Sequence, residues 1–382
     1  MKSGSKRVGI TTYWDSPVNY GQVLQGYALI SILKKWGYDP FILRYTMQEV
    51  LVKRNIFERI ENFIKYGMNF RRFFKRFYAV KENQVDRHFD EFKRNYMRFS
   101  DTIYPSFDSL QKDYQEAEIY VTGSDQVWGE WGSVNKKKTF LLDFLPPTVR
   151  RIAYAASFGR NMLGNDEKKI FQEALNKFQA ISVREKSGVD LCRQLGDGLD
   201  AKWVVDPTLL LTKQDWINEL HLEVDKKVSY KRALVYLMQN EYTTAIGHSI
   251  INLFKKESYQ VQYVSSAYYI DQKSNFSPTI EQWLSAICSA EIMVTSSFHG
   301  TLFALNFNIP FITIGNKDGE GGQNSRLYSL LEEFGLTERI ISSYDKDKIS
   351  YLLRKNIDWN RVNNLILERR LYSFDFLKKA LS

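Results

Sequence analysis

From Ile292 to Asn316 the chain carries no Asp, Glu, Lys or Arg. A run of that length must be buried, either in a bilayer or inside a protein core. Ser296, Ser297, His299, Gly300, Asn306, Asn308 and Pro310 divide it into the pieces IMVTS, SFHG, TLFALNF, NI and PFITIG. No apolar piece is long enough to span a membrane, whereas strand, turn, helix, turn and strand account for the whole run. It therefore reads as a buried β-α-β unit. A helix without charge on any side needs cover all round, which a parallel sheet among other helices supplies.

The rest of the chain repeats this rhythm. A β-rich run from Arg7 to Tyr13 precedes a helical period, GQVLQGYALISILKKWG, with Gly37 as its expected C′ residue, and then a strand from Pro40 to Tyr45. Ile119–Thr122, Ile152–Ser157 and Ile181–Val183 are further short strands with polar or Gly residues at their C-terminal ends. Asp206-Pro207 breaks the chain, and residues 212–231 read as a polar, irregular inter-domain connection. A second series begins at Arg232, with helices expected near 243–256, 279–289, 324–334, 345–355 and 359–381. The expected fold is α/β: two Rossmann-like domains facing a cleft (GT-B-like), with a basic-aromatic helical insertion. The first domain covers 1–211 with the insertion at 49–98, the second covers 232–358, and helix 359–382 crosses back to the first.

The formal charge of the 382 residues is +9. Between Lys53 and Lys81 nine Lys and Arg stand against two Glu, a local net charge of +7, so the remaining scaffold is close to neutral. Aromatic residues interleave those cations. Two readings stand for this segment: a helix packing its rings on the sheet, or a face lying on an anionic membrane surface. No recognition motif accompanies the charge, so nucleic acid is not an expected partner. Cys192 and Cys288 belong to no ligand cluster and read as buried free thiols. With no apolar leader after Met1, a cytoplasmic protein is expected, peripheral on the inner membrane face if the insertion docks there.

The candidate chemistry centres on Thr295–Thr301, at a strand end that opens a helix, where backbone N–H groups and the helix dipole favour an anion. Ser296, Ser297 and Thr301 add hydroxyl donors, Gly300 lets a ligand approach the backbone, and His299 adds an imidazole. The alternative is a buried His bonded to a carbonyl, with the serines as caps. Asn19 and Gly21 either touch a ligand or form the first turn. Asp206-Pro207 reads as structural. Asp345-Lys346-Asp347 reads as a helix start rather than a metal motif, and His88, His221 and His248 lack Cys/His partners, so no metal is expected. The stretch from Gly315 to Gly322 reads as a lid or long turn.

Five motifs in order, Asn19-Tyr20-Gly21-Gln22-Val23-Leu24-Gln25, Gly123-Ser124-Asp125-Gln126-Val127-Trp128, Ser182-Val183-Arg184-Glu185, Val205-Asp206-Pro207-Thr208 and Ser297-Phe298-His299-Gly300, resemble the polysaccharide pyruvyl transferase family over roughly residues 7–336. The resemblance implies an enzyme that moves the enolpyruvyl carbons of phosphoenolpyruvate onto two hydroxyls of a sugar, or of its lipid-linked precursor, as a pyruvate ketal. Phosphoenolpyruvate is then the donor substrate and no cofactor is needed. The second domain becomes the donor side and the first the acceptor side. Arg184 and His299 match positions that handle phosphoenolpyruvate. Some relatives carry Arg two residues before the His, where this chain has Ser297, and Arg326 is the substitute candidate. His299 either protonates C3 or stabilises the leaving phosphate; Asp125 is the candidate base, with Gln126 beside it as a substrate contact. Two other classes stay open: a GT-B glycosyltransferase using a nucleotide sugar, and a non-enzymatic basic adaptor.

Overall fold

Short apolar strands that alternate with helices pair in parallel, because each crossover returns the chain to the same end of the sheet. The computed structural model describes residues 5–46, 86–129, 133–196, 198–224, 230–238, 241–266, 271, 273–316 and 322–382. Within them the chain forms two sheets, parallel throughout. The basic-aromatic segment 53–81 and residues 317–321 of the Gly-rich stretch lie outside the described residues.

The first unit runs β1 (Arg7–Thr11), α1 (Tyr20–Lys35), β2 (Asp39–Tyr45), α2 (Phe89–Tyr96), β3 (Phe99–Tyr104), α3 (Phe107–Lys112), β4 (Ile119–Thr122), α4 (Val134–Phe140), β5 (Arg150–Ala156), α5 (Asn165–Leu175), β6 (Ala180–Val183), α6 (Lys186–Leu195) and β7 (Ala201–Trp203). Its strand order is β3-β2-β1-β4-β5-β6-β7. The winding reverses between β1 and β4, and the crevice at such a switch point is where open α/β sheets bind ligands.

The connection is less irregular than the sequence suggests. It contains α7 (Lys213–Leu220), started by a capping box of Thr212 and Asp215 and anchored by the fully buried Trp216. Trp216 and, one turn on, Leu220 are its buried residues, and that apolar pair with one cap is enough to fold the segment.

The second unit runs β8 (Lys231–Met238), α8 (Glu241–Lys256), β9 (Tyr259–Ser266), α9 (Ile280–Ser289), β10 (Ile292–Thr295), α10 (Phe298–Phe307), β11 (Phe311–Ile314), α11 (Gly322–Glu333), β12 (Ile340–Ile341), α12 (Lys346–Arg354) and α13 (Trp359–Leu381). Its order is β12-β11-β10-β8-β9, with the reversal between β8 and β10. The uncharged run is β10, α10 and β11, and every residue from His299 to Phe307 is buried. Its helix packs on α1, α9, α13 and the 3-10 turn Pro207–Leu209, which explains the lack of a polar face. Among the described residues no helix is long and apolar enough to cross a membrane.

A continuous apolar core joins the two units. Tyr20 stacks on Trp283 with ring centroids 4.7 Å apart, and its hydroxyl donates to Pro278 O at 2.7 Å. Asn306 Nδ2 donates to Leu211 O at 2.9 Å, and Arg87 Nη2 to Ser265 O at 2.7 Å. In α13, Arg369 binds Glu333 at 2.7 Å and donates to Trp203 O at 2.9 Å, and Ala380 O accepts from Arg150 Nε. These contacts set the two switch points against each other.

Candidate active site

On the second unit, the C-terminal end of β10 turns directly into α10. Ser297 caps the helix, its hydroxyl accepting from Gly300 N at 3.3 Å, while its own amide donates to Thr295 Oγ1. Ser296 bridges the two switch-point strands, accepting from Met238 N at 2.8 Å and donating to Met238 O. Thr301 bonds Ser297 O and Thr313 Oγ1. A Cβ on Gly300 would lie 2.4 Å from Thr295 Oγ1, so that glycine lets the helix close on β10. Ser296, Ser297, Gly300 and Thr301 thus build the turn that aims His299, with their polar groups bonded inside the protein. Among the described residues no carbonyl accepts from His299 Nε2.

The first unit supplies the opposing wall. Arg184 follows β6 and its side chain is 1% exposed. Its Nη1 donates to Asp206 Oδ2 at 2.9 Å and reaches Ser124 Oγ at 3.4 Å, while Nη2 lies 3.8 Å from Asp125 Oδ1. Glu185 is not its partner: that carboxylate accepts from Ser157 Oγ and the amides of Phe158 and Gly159. Asp125 sits just after β4 with φ 71°, a left-handed conformation that Asp adopts more readily than most residues, held by two amides donating to its carbonyl. Its carboxylate accepts from Gln126 N and from Gln22 Nε2. Gln126 packs its amide on Gly159, and its carbonyl accepts from Tyr13 Oη.

Asn19 caps α1, its side chain accepting from Gln22 N at 3.2 Å, and so belongs to the turn. Gly21 has a different role. A Cβ there would fall 2.2 Å from Cγ and Nδ1 of His299, so only glycine lets the head of α1 meet the imidazole.

Asp206 is the residue whose importance the local pattern concealed. Its side chain is fully buried, and Oδ1 accepts from Thr208 N and Oγ1, as an Asp-Pro-Thr turn requires. Its other oxygen accepts from Ser124 Oγ and Arg184 and stands 3.5 Å from His299 Nε2. Burial would raise its pKa, but the facing His299 and Arg184 charges outweigh that and hold it well below the usual carboxylate range.

Arg326, in α11, completes the cluster. The guanidiniums of Arg184 and Arg326 lie 4.5 and 5.5 Å from the Phe298 ring centre. Burial, and then the neighbouring charge of Arg184, push Arg326 down to about 10. Arg184 Nε and Nη2, Arg326 Nε and His299 Nε2 are all buried without a hydrogen-bond partner among the described residues. Unpartnered buried nitrogens on two guanidiniums and an imidazole suit an anion with several acceptor oxygens. Asp345 caps α12 by accepting from Asp347 N and Lys348 N, and among the described residues no three His, Cys, Asp or Glu group as a metal site.

The sequence profile for polysaccharide pyruvyl transferase matches residues 19–318. No curated protein matches. Solved structures of similar fold include the UDP-GlcNAc 2-epimerase of Methanocaldococcus jannaschii in complex with UDP-GlcNAc and UDP (11% identity, 96% of this chain and 99% of that one, TM-score 0.52). Others are the Rickettsia bellii UDP-N-acetylglucosamine 2-epimerase (12%, 99% and 96%, TM-score 0.51) and the S. aureus MnaA–UDP complex (9%, 94% and 90%, TM-score 0.52). At such identities the likeness establishes the two-Rossmann, GT-B-like fold alone.

Proposed function

The chain belongs to the polysaccharide pyruvyl transferase family, and from that premise we propose that it transfers the enolpyruvyl group of phosphoenolpyruvate to a sugar, forming a pyruvate ketal and releasing phosphate. The observation that carries the donor assignment is the buried cluster of Arg184, Arg326 and His299, with unpartnered nitrogens, at the junction of the two switch points. Phosphoenolpyruvate presents a phosphate and a carboxylate close together, and guanidiniums bind both kinds of oxygen pair.

Protonation at C3 turns the enol carbon into a methyl group and leaves C2 electron-poor. One sugar hydroxyl adds to C2 and loses its proton, the C2–O bond to phosphate breaks, and a second hydroxyl closes the ring with loss of its proton. His299 supplies the C3 proton or meets the leaving phosphate. Asp125, on the opposite unit, takes the hydroxyl proton. The acceptor is a surface-polysaccharide sugar or its lipid-linked precursor. The cationic, aromatic segment 53–81 has the composition to hold the enzyme at an anionic cytoplasmic membrane face where such precursors are built.

A ligand that binds only the folded state raises its melting temperature. Phosphoenolpyruvate is expected to do so, and UDP- or GDP-sugars are not. The reverse result would favour a nucleotide-sugar glycosyltransferase. Phosphate release from phosphoenolpyruvate with galactose-, glucose- or mannose-type acceptors is the direct assay, and its absence with all of them would sink the proposal.

A further inference from the structure

Arg184 and Arg326 share the Phe298 ring although both are cations, so something must keep α11 from retreating. Its apolar residues Leu327 and Leu331 lie in the common core, but apolar burial is non-directional and fixes a helix's depth more than its register. Two polar ties reach α11 from α13. Arg361 Nη2 donates to Phe334 O just past the end of α11, and Arg369 Nε lies 2.7 Å from Glu333 Oε1. Glu333 follows Arg326 by two helical turns, so the two stand on one face of α11. Both line a single cavity with Arg184, Asp206, Trp203 and Arg369. We propose that Arg369 is a positioning residue: through Glu333 it fixes the register of α11 and holds Arg326 beside Arg184 in the donor site. The proposal rests on the transfer reading above for its effect on donor binding, but not for the placement of Arg326 itself.

Arg369 serves as a fixed point because its own helix is tied to the first unit. Its Nη2 donates to Trp203 O at 2.9 Å, and its guanidinium lies 4.3 Å from the Trp203 ring centre. On the same face of α13, Arg370 Nε donates to Leu209 O at 2.6 Å, and Ser373 Oγ accepts from Val205 N at 3.0 Å. These three bonds straddle Asp206, whose carboxylate accepts from Arg184. Trp203 Nε1 in turn donates to Arg184 O. One face of α13 therefore grips the turn that holds one cation of the donor site and, by the Glu333 pair, the helix that carries the other. The Arg369 and Glu333 side chains are 20% and 17% exposed, so solvent ions screen their attraction little. A guanidinium suits this place because separate nitrogens of one rigid fork reach partners on different units.

The test compares Arg369→Met, which removes the ion pair, with Arg326→Met and with the double variant. With phosphoenolpyruvate as the varied substrate, R369M is expected to raise KM about tenfold while kcat stays within about threefold, since a misplaced donor contact weakens binding. In an R326M background the same change should add nothing, because Arg369 acts through Arg326. A KM unchanged in R369M, or increases that multiply in the double variant, overturns the proposal. A purely structural loss would lower the amount of active enzyme, and so kcat, without moving KM. Urea denaturation without ligand tests the placement directly. Released from the pair, Arg326 can draw away from Arg184, so R326M should shift the denaturation midpoint less in the R369M background than in wild type. Equal shifts in the two backgrounds overturn the proposal. Where R369M does not fold, Glu333→Gln, which keeps the shape and removes the charge, takes its place in both measurements with the same expected outcomes. If wild-type protein releases no phosphate from phosphoenolpyruvate, the transfer reading fails, and the urea comparison alone decides the role of Arg369.

Discussion

The guanidinium of Arg184, from the first unit, lies 4.5 Å over the ring of Phe298, from the second, and Arg326 lies 5.5 Å from the same ring. Two buried cations sharing one aromatic ring repel each other, and the ring's negative face offsets only part of that cost. The carboxylates of Asp206 and Asp125 offset more. The arrangement favours an additional anion, which relates stability directly to binding.

Arg326→Met should therefore stabilise the unliganded protein while weakening its response to phosphoenolpyruvate. Replacing an incompletely compensated buried charge by a well-packed apolar side chain is worth about 1–3 kcal/mol. Differential scanning calorimetry should show a higher melting temperature for R326M without ligand and a smaller increase on adding phosphoenolpyruvate. A lower melting temperature without ligand would mean that Arg326 is a structural residue.

His299→Ala should leave the fold intact and abolish phosphate release, because His299 Nε2 has no hydrogen-bond partner among the described residues and the helix cap is Ser297. Circular dichroism and a phosphate assay check both halves. An active H299A would remove His299 from the reaction.

Gly21→Ala should cost about 1–3 kcal/mol, the usual range for overpacking a core contact. The new methyl would strike Cβ, Cγ and Nδ1 of His299, close to its main chain, so rotation of the ring cannot absorb it. Urea denaturation measures the cost. Gly37→Ala is the contrast: nothing lies within 4 Å of that position, and only its φ of 85° resists substitution.

Glu167 gives the clearest pH dependence. Hydrogen bonds from Arg160, joined by Lys137 and the Gly164 amide, lower its pKa from an ordinary 4.5 to about 2. Because the folded value is the depressed one, its contribution is complete above the ordinary value and disappears as pH falls to about 2. Urea titrations should find Glu167→Gln less stable by about 1–2 kcal/mol at neutral pH, with the difference closing in acid.

Both cysteines are buried and in no disulfide, and burial pushes the Cys192 thiol up to about 12. A thiol reagent should leave native protein unmodified and titrate two groups after denaturation. Rapid reaction of Cys192 in native protein would contradict its burial.

Much of the fold was legible because its causes are local. Strand Ile119–Thr122 has the bounds its apolar run suggests, and α1 ends with Gly37 at positive φ just beyond its cap. The helix after Thr212 is not legible as one, since its buried residues are Trp216 and Leu220 and two positions are too few to stand out as a period. At the site, Arg184 and His299 stood out by motif. Ser296, Gly300 and Thr301 looked like ligand contacts because hydroxyls and glycine at a helix start are what an anion site uses; the same residues also serve strand bridging and close packing.

The sequence by itself determined that an uncharged helix lies buried beside a parallel sheet, and that strand ends rich in Gly, Ser and Asp turn into the helices that follow them. Charge-free length and strand-turn-helix order have no other stable solution in water. Only the tertiary structure decided that Asp206, an ordinary Asp-Pro turn by its neighbours, stands between Arg184 and His299, and that Gly21 is the surface on which the imidazole rests. Those contacts join segments far apart in the chain, and both contacts to His299 cross the boundary between units. Local pattern carries no record of such meetings, which arise when two switch points are packed face to face.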